Sequence, residues 1–244
     1  SIGAQGNQFP LEQLPTGTHI CWQVDGELDY SPSLSAIIRA VTSAGAELLY
    51  ILDRRSPAAL QHQLRTLAPD ATAQGRISVL DPSHILLDHG RFETQSALER
   101  IRERALRARA GGLPAPWFVV EMSWATWGLP GSDHWREFES QLDLAGRKLY
   151  GMFFCQYDRR HCPADMLAEA LRSHPFILFS GWVVANPVYP GAIPSLILER
   201  EAVMAQFGLD EEAYWDYLRI FMEEAENHLG QLAQAVQTLD AKGV

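Results

Sequence analysis

Residues 148–189 read KLYGMFFCQYDRRHCPADMLAEALRSHPFILFSGWVVANPVY, and this stretch decides the expected fold. The apolar run from Leu149 to Phe154 predicts a strand buried on both faces. Pro163 suits the first turn of a helix, and Phe176 to Phe179 predicts a second buried strand. Because parallel α/β sheets bind ligands at the carboxyl ends of their strands, we expect a site at the polar residues that follow the first run. These are Cys155, Gln156, Tyr157, Asp158 and Arg159.

The rest of the chain up to residue 198 repeats the alternation of short apolar runs and helical patterns. This alternation predicts an α/β domain over residues 1–198, with a doubly wound, mainly parallel sheet covered by helices on both faces. Further strands are predicted at His19–Val24, Leu48–Leu52, Ile77–Leu80 and Trp117–Val120. Helices are predicted from Ser31-Pro32 to Ser43, from Ser56-Pro57 onward, over Arg91–Ala110 and from Ser132 or Asp133 through Leu144.

Composition narrows the class of protein. The chain has 244 residues, of which 47% are hydrophobic, enough for a full-sized core. No apolar run approaches the roughly 20 residues that cross a bilayer, and no signal pattern begins the sequence, so we expect a cytoplasmic protein without membrane contact. Three cysteines favour free thiols over a disulfide framework. A net charge of −10 argues against direct nucleic-acid binding.

The last 46 residues differ from the rest in charge and periodicity. Residues 199–244 carry ten acidic and three basic residues, so we place a boundary near Ser195–Glu199 and expect an acidic helical segment after it. Its apolar residues repeat at alternating spacings of three and four, which predicts a homodimer or signalling helix. A helix folded back on its own domain is the alternative. The seam comprises Trp215, Leu218, Met222, Ala225, Leu229, Leu232, Val236 and Leu239.

A phosphate-binding loop is not expected after the first strand. Such a loop needs Gly-x-x-x-x-Gly-Lys-Ser/Thr, whereas residues 25–30 read DGELDY and hold three carboxylates that would repel a triphosphate. The only lysines of the chain are Lys148 and Lys242, both far from this loop in sequence. We therefore expect no nucleotide and no other cofactor.

Other chemistry stays open from the residues alone. His19, Cys21, Cys155, His161 and Cys162 are weak candidates for zinc or iron ligands, since no Cys-x-x-Cys pair is present. Cys155 with His161 or His174 could form a nucleophilic pair, and Glu121 could act as a general base. A ligand pocket without catalysis is favoured by aromatic residues in or just beyond the predicted strands. These are Trp22, Trp124, Trp127, Phe154, Tyr157, Trp182 and Tyr189.

Five motifs together resemble the MEDS sensory domain, a family named for methanogens, methylotrophs and the dichloromethane-responsive repressor. They are His19-Ile20-Cys21, the EMSWA block at 121–125, the CQYDR block at 155–159, His174-Pro175 and Asn186–Tyr189, and the resemblance spans Gly17 to Pro190. It implies a RecA-like three-layer sandwich, related to circadian-clock ATPases, whose phosphate loop has been lost. It also implies a sensor of small hydrocarbon-derived compounds in a signalling or transcriptional system.

The resemblance implies a set of site residues and a non-catalytic, ligand-binding function. A redox or metal sensor that uses the His and Cys residues, or an enzyme that uses Glu121 and Cys155, remains the alternative. Asp158 and Arg159 could instead form a structural ion pair, and Asn186 could serve a turn. The implied ligand-binding residues are His19, Cys21, Gln23, Glu121, Ser123, Trp124, Cys155, Gln156, Tyr157, Asp158, Arg159, His174 and Asn186.

Overall fold

The computed structural model describes residues 10–14, 16–52, 55–149 and 151–190. The strands in these residues are β1 (His19–Val24), β2 (Leu48–Ile51), β3 (Ile77–Leu80), β4 (Leu87–Asp88), β5 (Arg91–Phe92), β6 (Trp117–Glu121), β7 (Met152–Asp158), β8 (Phe176–Phe179) and β9 (Trp182–Ala185). The α-helices are α1 (Glu27–Ala44), α2 (Pro57–Leu67), α3 (Pro69–Ala73), α4 (Thr94–Ala110), α5 (Trp135–Leu149) and α6 (Ala164–Ser173). Short 3₁₀ helices cover Leu11–Gln13, Pro82–His84, Met122–Thr126 and Ser132–His134.

Seven strands form one sheet in the order β3-β2-β6-β7-β1-β8-β9. Every neighbouring pair in this sheet is parallel except β8 and β9, which pair antiparallel. The strands β4 and β5 form a separate antiparallel hairpin. The strand order confirms the predicted doubly wound, mainly parallel sheet of a RecA-like three-layer sandwich.

Each face of the sheet has its own layer of helices. On one face, the side chains of Phe118 and Phe153 lie in a single apolar core with residues of α4, α5 and α6, and we call this the α5 face. On the other face, the Trp22 ring stacks on Tyr30 of α1 with centroids 5.2 Å apart, and we call this the α1 face. Since side chains alternate along a strand, adjacent residues of β1, β6 and β7 lie on different faces.

Strand β7 differs from its predicted bounds at both ends. The strand begins at Met152 rather than Leu149 and continues to Asp158, so Cys155, Gln156 and Tyr157 lie within it. Its polar residues remain in the strand because Gln156 and Tyr157 are buried and make side-chain hydrogen bonds there. Helix α5 correspondingly runs past the predicted Leu144 to Leu149.

Helix beginnings differ from the sequence signals at two places. Helix α1 begins at Glu27 instead of Ser31, after Gly26 in a backbone conformation with φ 101° that favours glycine, and it tolerates Pro32 inside. Helix α4 begins at Thr94 instead of Arg91, because Arg91 and Phe92 pair with β4. At α2 the signal is confirmed, since the Ser56 hydroxyl accepts a hydrogen bond from the Ala59 amide at 3.4 Å.

The described residues fall within one compact unit, Phe9–Gly191. The predicted boundary at residues 198/199 and the apolar seam from Trp215 to Leu239 lie outside the described residues and stay predictions. No helix among the described residues has both the length and the apolar character that a membrane span requires.

Candidate functional site

The sheet divides the predicted site residues between its two faces. Val120 of β6 pairs in register with Cys155 of β7, and Glu121 pairs with Gln156. Alternation therefore directs Cys155 to the α5 face, where it joins the apolar core, whereas Gln156 and Glu121 meet on the α1 face. The predicted ligand-binding residues Glu121 and Cys155 therefore do not share one site and belong to two polar clusters on opposite faces of the sheet.

The first cluster lies beneath α5 and α6 and consists of His19, Glu139, Cys155 and His174, which we call the donor cluster. One ligand atom from each residue lies within 4.8 Å of every other, and all four side chains are buried. The His19 Nε2 atom is 3.2 Å from Cys155 Sγ and 3.2 Å from Glu139 Oε2. The His174 Nε2 atom is 3.0 Å from the same Glu139 oxygen.

Four different elements supply the donor cluster, and neighbouring groups fix its orientation. His19 begins β1, Cys155 lies in β7, Glu139 lies on α5 and His174 follows α6. The Tyr157 hydroxyl donates to Glu139 Oε1 at 2.7 Å, so the other carboxylate oxygen is left to face the histidines. The imidazole rings of His19 and His174 are 3.9 Å apart at their centroids.

Burial and mutual charge shift the pKa values in the donor cluster. Burial, aided by His174, lowers the pKa of His19. Burial and the nearby Glu139 carboxylate raise the pKa of the Cys155 thiol well above its ordinary value. For Glu139 burial acts in the opposite direction, but His174 and His19 hold its pKa well below the usual range. The Glu139 carboxyl group is therefore ionised at neutral pH, and the Cys155 thiol keeps its proton.

The second cluster lies on the α1 face and consists of Tyr30, Tyr50, Arg55, Glu121 and Gln156, which we call the edge network. The Tyr50 hydroxyl donates its one proton to Gln156 Oε1 at 2.6 Å, lies 3.2 Å from Glu121 Oε1 and accepts from the Tyr30 hydroxyl at 3.2 Å. The Arg55 guanidinium stands 3.4 Å over the Tyr30 ring centroid and 3.7 Å from Glu121 Oε1. Burial, with Tyr30 and Glu121 beside it, raises the pKa of Tyr50.

The edge network occupies the place where an open α/β sheet forms a crevice. Glu121 is the last residue of β6, and Arg55 follows the adjacent strand β2. The helix after β6 packs on the α5 face, whereas the helix after β2 contacts α1. Connections that leave neighbouring strands toward opposite faces open a crevice at the carboxyl edge, which is the common ligand site of such sheets. The Arg55 side chain, 26% exposed, connects this network to solvent.

Other predicted site residues lie in or beside the core of the α5 face without belonging to the donor cluster. Cys21 is buried on the α5 face, two residues along β1 from His19. Gln23 donates to the Leu167 carbonyl at 3.1 Å and thereby ties β1 to α6. The Asn186 amide donates to the His174 carbonyl at 2.6 Å, which makes it a positioning group. Trp124 packs against Phe92, with ring centroids 4.4 Å apart, in the same core.

Residues at the end of β7 are placed differently again. Asp158 is paired with Arg160 at 2.7 Å and with His161 at 3.0 Å, and Arg159 is exposed. The alternative pairing of Asp158 with Arg159 is thus replaced by one with Arg160. His161 belongs to this surface group, so of the five weak metal candidates only His19 and Cys155 lie in the donor cluster. Cys162 is buried in the apolar core, and Ser123 is buried in the turn after β6.

The aromatic residues do not line one pocket. Trp22 lies on the α1 face and Trp124 in the core of the α5 face, both fully buried, while Trp127 and Trp182 are exposed at the surface. A cavity of about 340 Å³ lies elsewhere, between α2, α3 and β3, with Gln61, Arg65 and Ser78 in its lining. None of its lining residues belongs to either polar cluster.

Sequence reasoning missed Glu139, Tyr30, Tyr50 and Arg55. Glu139 carried a readable signal, because it lies on the apolar face of α5, four residues after Trp135 and three before Leu142. A carboxylate on a buried helix face needs a partner, and that need indicates a polar cluster. The tyrosines gave no such signal, since a Tyr in an apolar run is commonly core.

The loop after β1 agrees with the expected loss of a phosphate cradle. The Asp25 amide donates to the Asp29 carboxylate at 3.2 Å, so an acidic side chain occupies a donor that would otherwise face an anion.

The fold and the two clusters define a RecA-like α/β sandwich whose carboxyl edge carries tyrosine, glutamate and arginine side chains, and whose loop after β1 holds carboxylates where a phosphate cradle would lie. The family model described as MEDS, the methanogen/methylotroph, DcmR sensory domain, matches residues 18–175. The chain therefore belongs to the MEDS family, as the sequence motifs predicted, and both clusters lie within the matched residues.

Solved structures similar to this chain include two archaeal proteins. A KaiC-like protein from Pyrococcus horikoshii is 11% identical, with a TM-score of 0.48 over 67% of this chain and 71% of that one. The flagellar accessory protein FlaH from Methanocaldococcus jannaschii is 10% identical, with a TM-score of 0.45 over the same shares of the two chains. A search among curated proteins gives no significant match.

Proposed function

We propose that this chain is the sensory domain of a signal-transduction or transcription-regulatory system, and that it binds a small organic molecule without transforming it. The observation that carries the proposal is membership of the MEDS sensory family over residues 18–175. Binding biases an output only as far as the ligand prefers one conformation of the protein over another.

The edge network supports a place for this ligand. Its polar groups, Tyr50, Glu121, Gln156 and Arg55, converge at the carboxyl edge beside the apolar Trp22 and Tyr30 rings. Ligand sites are mostly apolar, with a few polar groups that fix orientation. Glu121 together with the carboxylates of Asp25 and Asp29 disfavours a triphosphate, so a small neutral or cationic organic molecule suits the edge best.

The contacts of the two proposed catalytic groups favour binding over catalysis. Cys155 lies 3.2 Å from His19, but the pair is fully buried and burial raises the thiol pKa, which disfavours the reactive thiolate. The Oε1 atom of Glu121 is contacted by both Tyr50 and Arg55, and these contacts favour a binding role for that oxygen over general-base catalysis.

The proposal is tested by thermal unfolding of the purified chain with methanol, methylamine, formaldehyde and dichloromethane, together with native mass spectrometry for a co-purifying compound. A molecule that binds only the folded protein raises the melting temperature as its concentration exceeds its dissociation constant. We expect at least one of these compounds to raise it in a saturable manner, with the compound recovered unchanged. No shift with any compound and no co-purifying molecule contradicts the ligand proposal, and chemical conversion of a bound compound contradicts the non-catalytic one.

For the acidic C-terminal segment we propose a homodimer or signalling helix, on the strength of the three-four repeat from Trp215 to Leu239. The change Leu229→Asp puts a charge into the seam and should convert a dimer to a monomer in analytical ultracentrifugation. Gln234→Asp is the matched control, since residue 234 lies off the seam. An unchanged dimer mass for Leu229→Asp contradicts this use of the seam.

A further inference from the structure

The donor cluster holds more hydrogen-bond acceptor lone pairs than its own N–H, O–H and S–H protons can satisfy. His174 Nδ1 donates to the Ala170 carbonyl at 2.7 Å, so in the neutral ring Nε2 presents a lone pair to Glu139 Oε2, 3.0 Å away. Neither of these two buried atoms makes a hydrogen bond of acceptable geometry with any residue that the structure describes. Two acceptor atoms at this distance repel unless a cation lies between or beside them.

The same region collects two further donors at similar distances. His19 Nε2 and Cys155 Sγ are 3.2 Å apart, and His19 Nε2 is 3.2 Å from Glu139 Oε2. Four ligands around a tetrahedral zinc ion, each about 2.0–2.3 Å from it, lie roughly 3.3–3.7 Å from one another. The donor cluster is therefore close to the size of a zinc site before any ion binds.

Groups around the cluster hold the ligands as they are held in metal sites. The contact of His174 Nδ1 with the Ala170 carbonyl fixes the ring and its tautomer, and Tyr157 holds Glu139 through its other oxygen. Asn186 anchors the backbone of His174. The exception is His19 Nδ1, which makes no hydrogen bond within the described part of the chain.

We propose that the donor cluster is a closed binding site for one divalent transition-metal ion of the zinc class, held by His19 Nε2, Glu139 Oε2, Cys155 Sγ and His174 Nε2. Two imidazoles, one thiolate and one carboxylate form a nitrogen, sulfur and oxygen donor set that suits zinc and its cobalt substitute. This site stands apart from the proposed organic ligand, which is placed on the opposite face of the sheet.

Charge balance favours a divalent ion in this buried place. Binding breaks the S–H bond of Cys155, releases its proton to solvent and forms the metal–sulfur bond. The thiolate and the Glu139 carboxylate then contribute two negative charges, which neutralise the ion while both imidazoles stay neutral. A neutral assembly avoids the cost of an uncompensated charge in the core.

A proton alone would explain less of the geometry. A protonated histidine could pair with Glu139 as a buried ion pair, but one proton bridges only one pair of atoms. Such a pair gives no reason for a second imidazole and a thiol to converge on the same point. A metal ion uses all four groups at once and ties α5 and the end of α6 to β1 and β7.

The test is metal analysis of the full chain, produced in zinc-supplemented medium, and of the same chain refolded with cobalt(II). We expect one zinc per chain by elemental analysis. The cobalt form should show tetrahedral visible bands and a thiolate-to-cobalt charge-transfer band in the near ultraviolet. Because the site is buried, we expect release to a chelator only on unfolding, and the metal-free protein should melt at a lower temperature.

Cys155→Ser should abolish the charge-transfer band and at least halve the zinc content. Cys21→Ser is the matched control, since Cys21 is a buried thiol on the same face but outside the four-donor group, and it should retain both signals. Circular dichroism and gel filtration establish the folding of each variant, and wild type alone remains decisive where a variant does not fold. Zinc-free wild type that also takes up no cobalt on refolding overturns the proposal, as does a band that follows Cys21 instead of Cys155.

Discussion

The donor cluster and the edge network lie on opposite faces of the same sheet, and neighbouring residues of one strand serve both. Cys155 faces α5 and joins two histidines and a glutamate, while Gln156, the next residue, faces α1 and joins two tyrosines and Glu121. All four side chains of the donor cluster are buried, whereas the edge network reaches solvent through Arg55. The alternation of a single strand thus separates a closed cluster from an accessible one.

Because the two clusters differ in their access to solvent, they suit different roles. A ligand that comes and goes needs a path to solvent, which the carboxyl edge provides. Groups enclosed by the sheet, α5 and α6 suit a permanent ion or a structural pair. We therefore expect changes in the donor cluster to act mainly on stability, and changes in the edge network to act mainly on ligand binding.

The largest effect on stability is expected from Glu139→Ala. The change removes the acceptor of Tyr157 and the partner of both histidines inside the core, which should cost about 3–5 kcal/mol. Urea denaturation measures the loss. Glu137→Ala on the exposed side of the same helix is the control and should change stability by less than about 0.5 kcal/mol. Equal stability of Glu139→Ala and wild type would contradict the account of the donor cluster.

A smaller loss is expected from Tyr50→Phe in the edge network. The change leaves the Gln156 oxygen and the Tyr30 hydroxyl without their common partner, at a cost of about 1–3 kcal/mol. Tyr30→Phe removes one donor but keeps the stacking on Trp22, so it should cost about 0.5–1.5 kcal/mol. The same urea experiment compares them. A larger loss of unfolding free energy for Tyr50→Phe than for Glu139→Ala would contradict the expectation that the donor cluster contributes more to stability than the edge network.

The smallest effect is expected at Asp158, which ends the shared strand at the surface. Burial opposes it, but hydrogen bonds from Arg160 and His161 lower the pKa of Asp158 to about 2. Because the folded-state pKa lies below the unfolded value of about 3.9, the stabilisation is present above about pH 4 and is lost as the pH falls toward 2. Asp158→Asn should cost at most about 1 kcal/mol at pH 7 and flatten the acid limb of the stability curve. If the stability of Asp158→Asn falls with acid in the same way as that of wild type, carboxylates other than Asp158 cause the loss of stability at low pH.

The sequence predicts six strands of the seven-stranded sheet because each is a short apolar run bounded by turn signals, as at His19–Val24 and Phe176–Phe179, but it does not predict the edge strand β9. It predicts β7 less well, since a strand that carries Gln156 and Tyr157 looks finished at Phe154 unless their buried partners are known. The partners come from distant parts of the chain, Tyr50 in one case and Glu139 in the other.

The candidate site, like β7, is only partly predictable from the sequence. Motif resemblance finds His19, Cys155 and His174, but it does not say that they share one point in space, nor that Glu121 lies on the other face. That information is in the register between β6 and β7, which local periodicity does not encode. Glu139 was accessible from its place on an apolar helix face, whereas Arg55 gave no signal in the sequence.

The division of roles between the two faces is tested most directly by ligand-induced thermal shifts in two variants, measured with the compound that stabilises wild type most among methanol, methylamine, formaldehyde and dichloromethane. We predict that Glu121→Gln abolishes most of the shift while the folded protein stays intact. Cys155→Ser should melt at a lower temperature but keep the same ligand-induced shift. A shift that survives Glu121→Gln and disappears in folded Cys155→Ser would contradict the account.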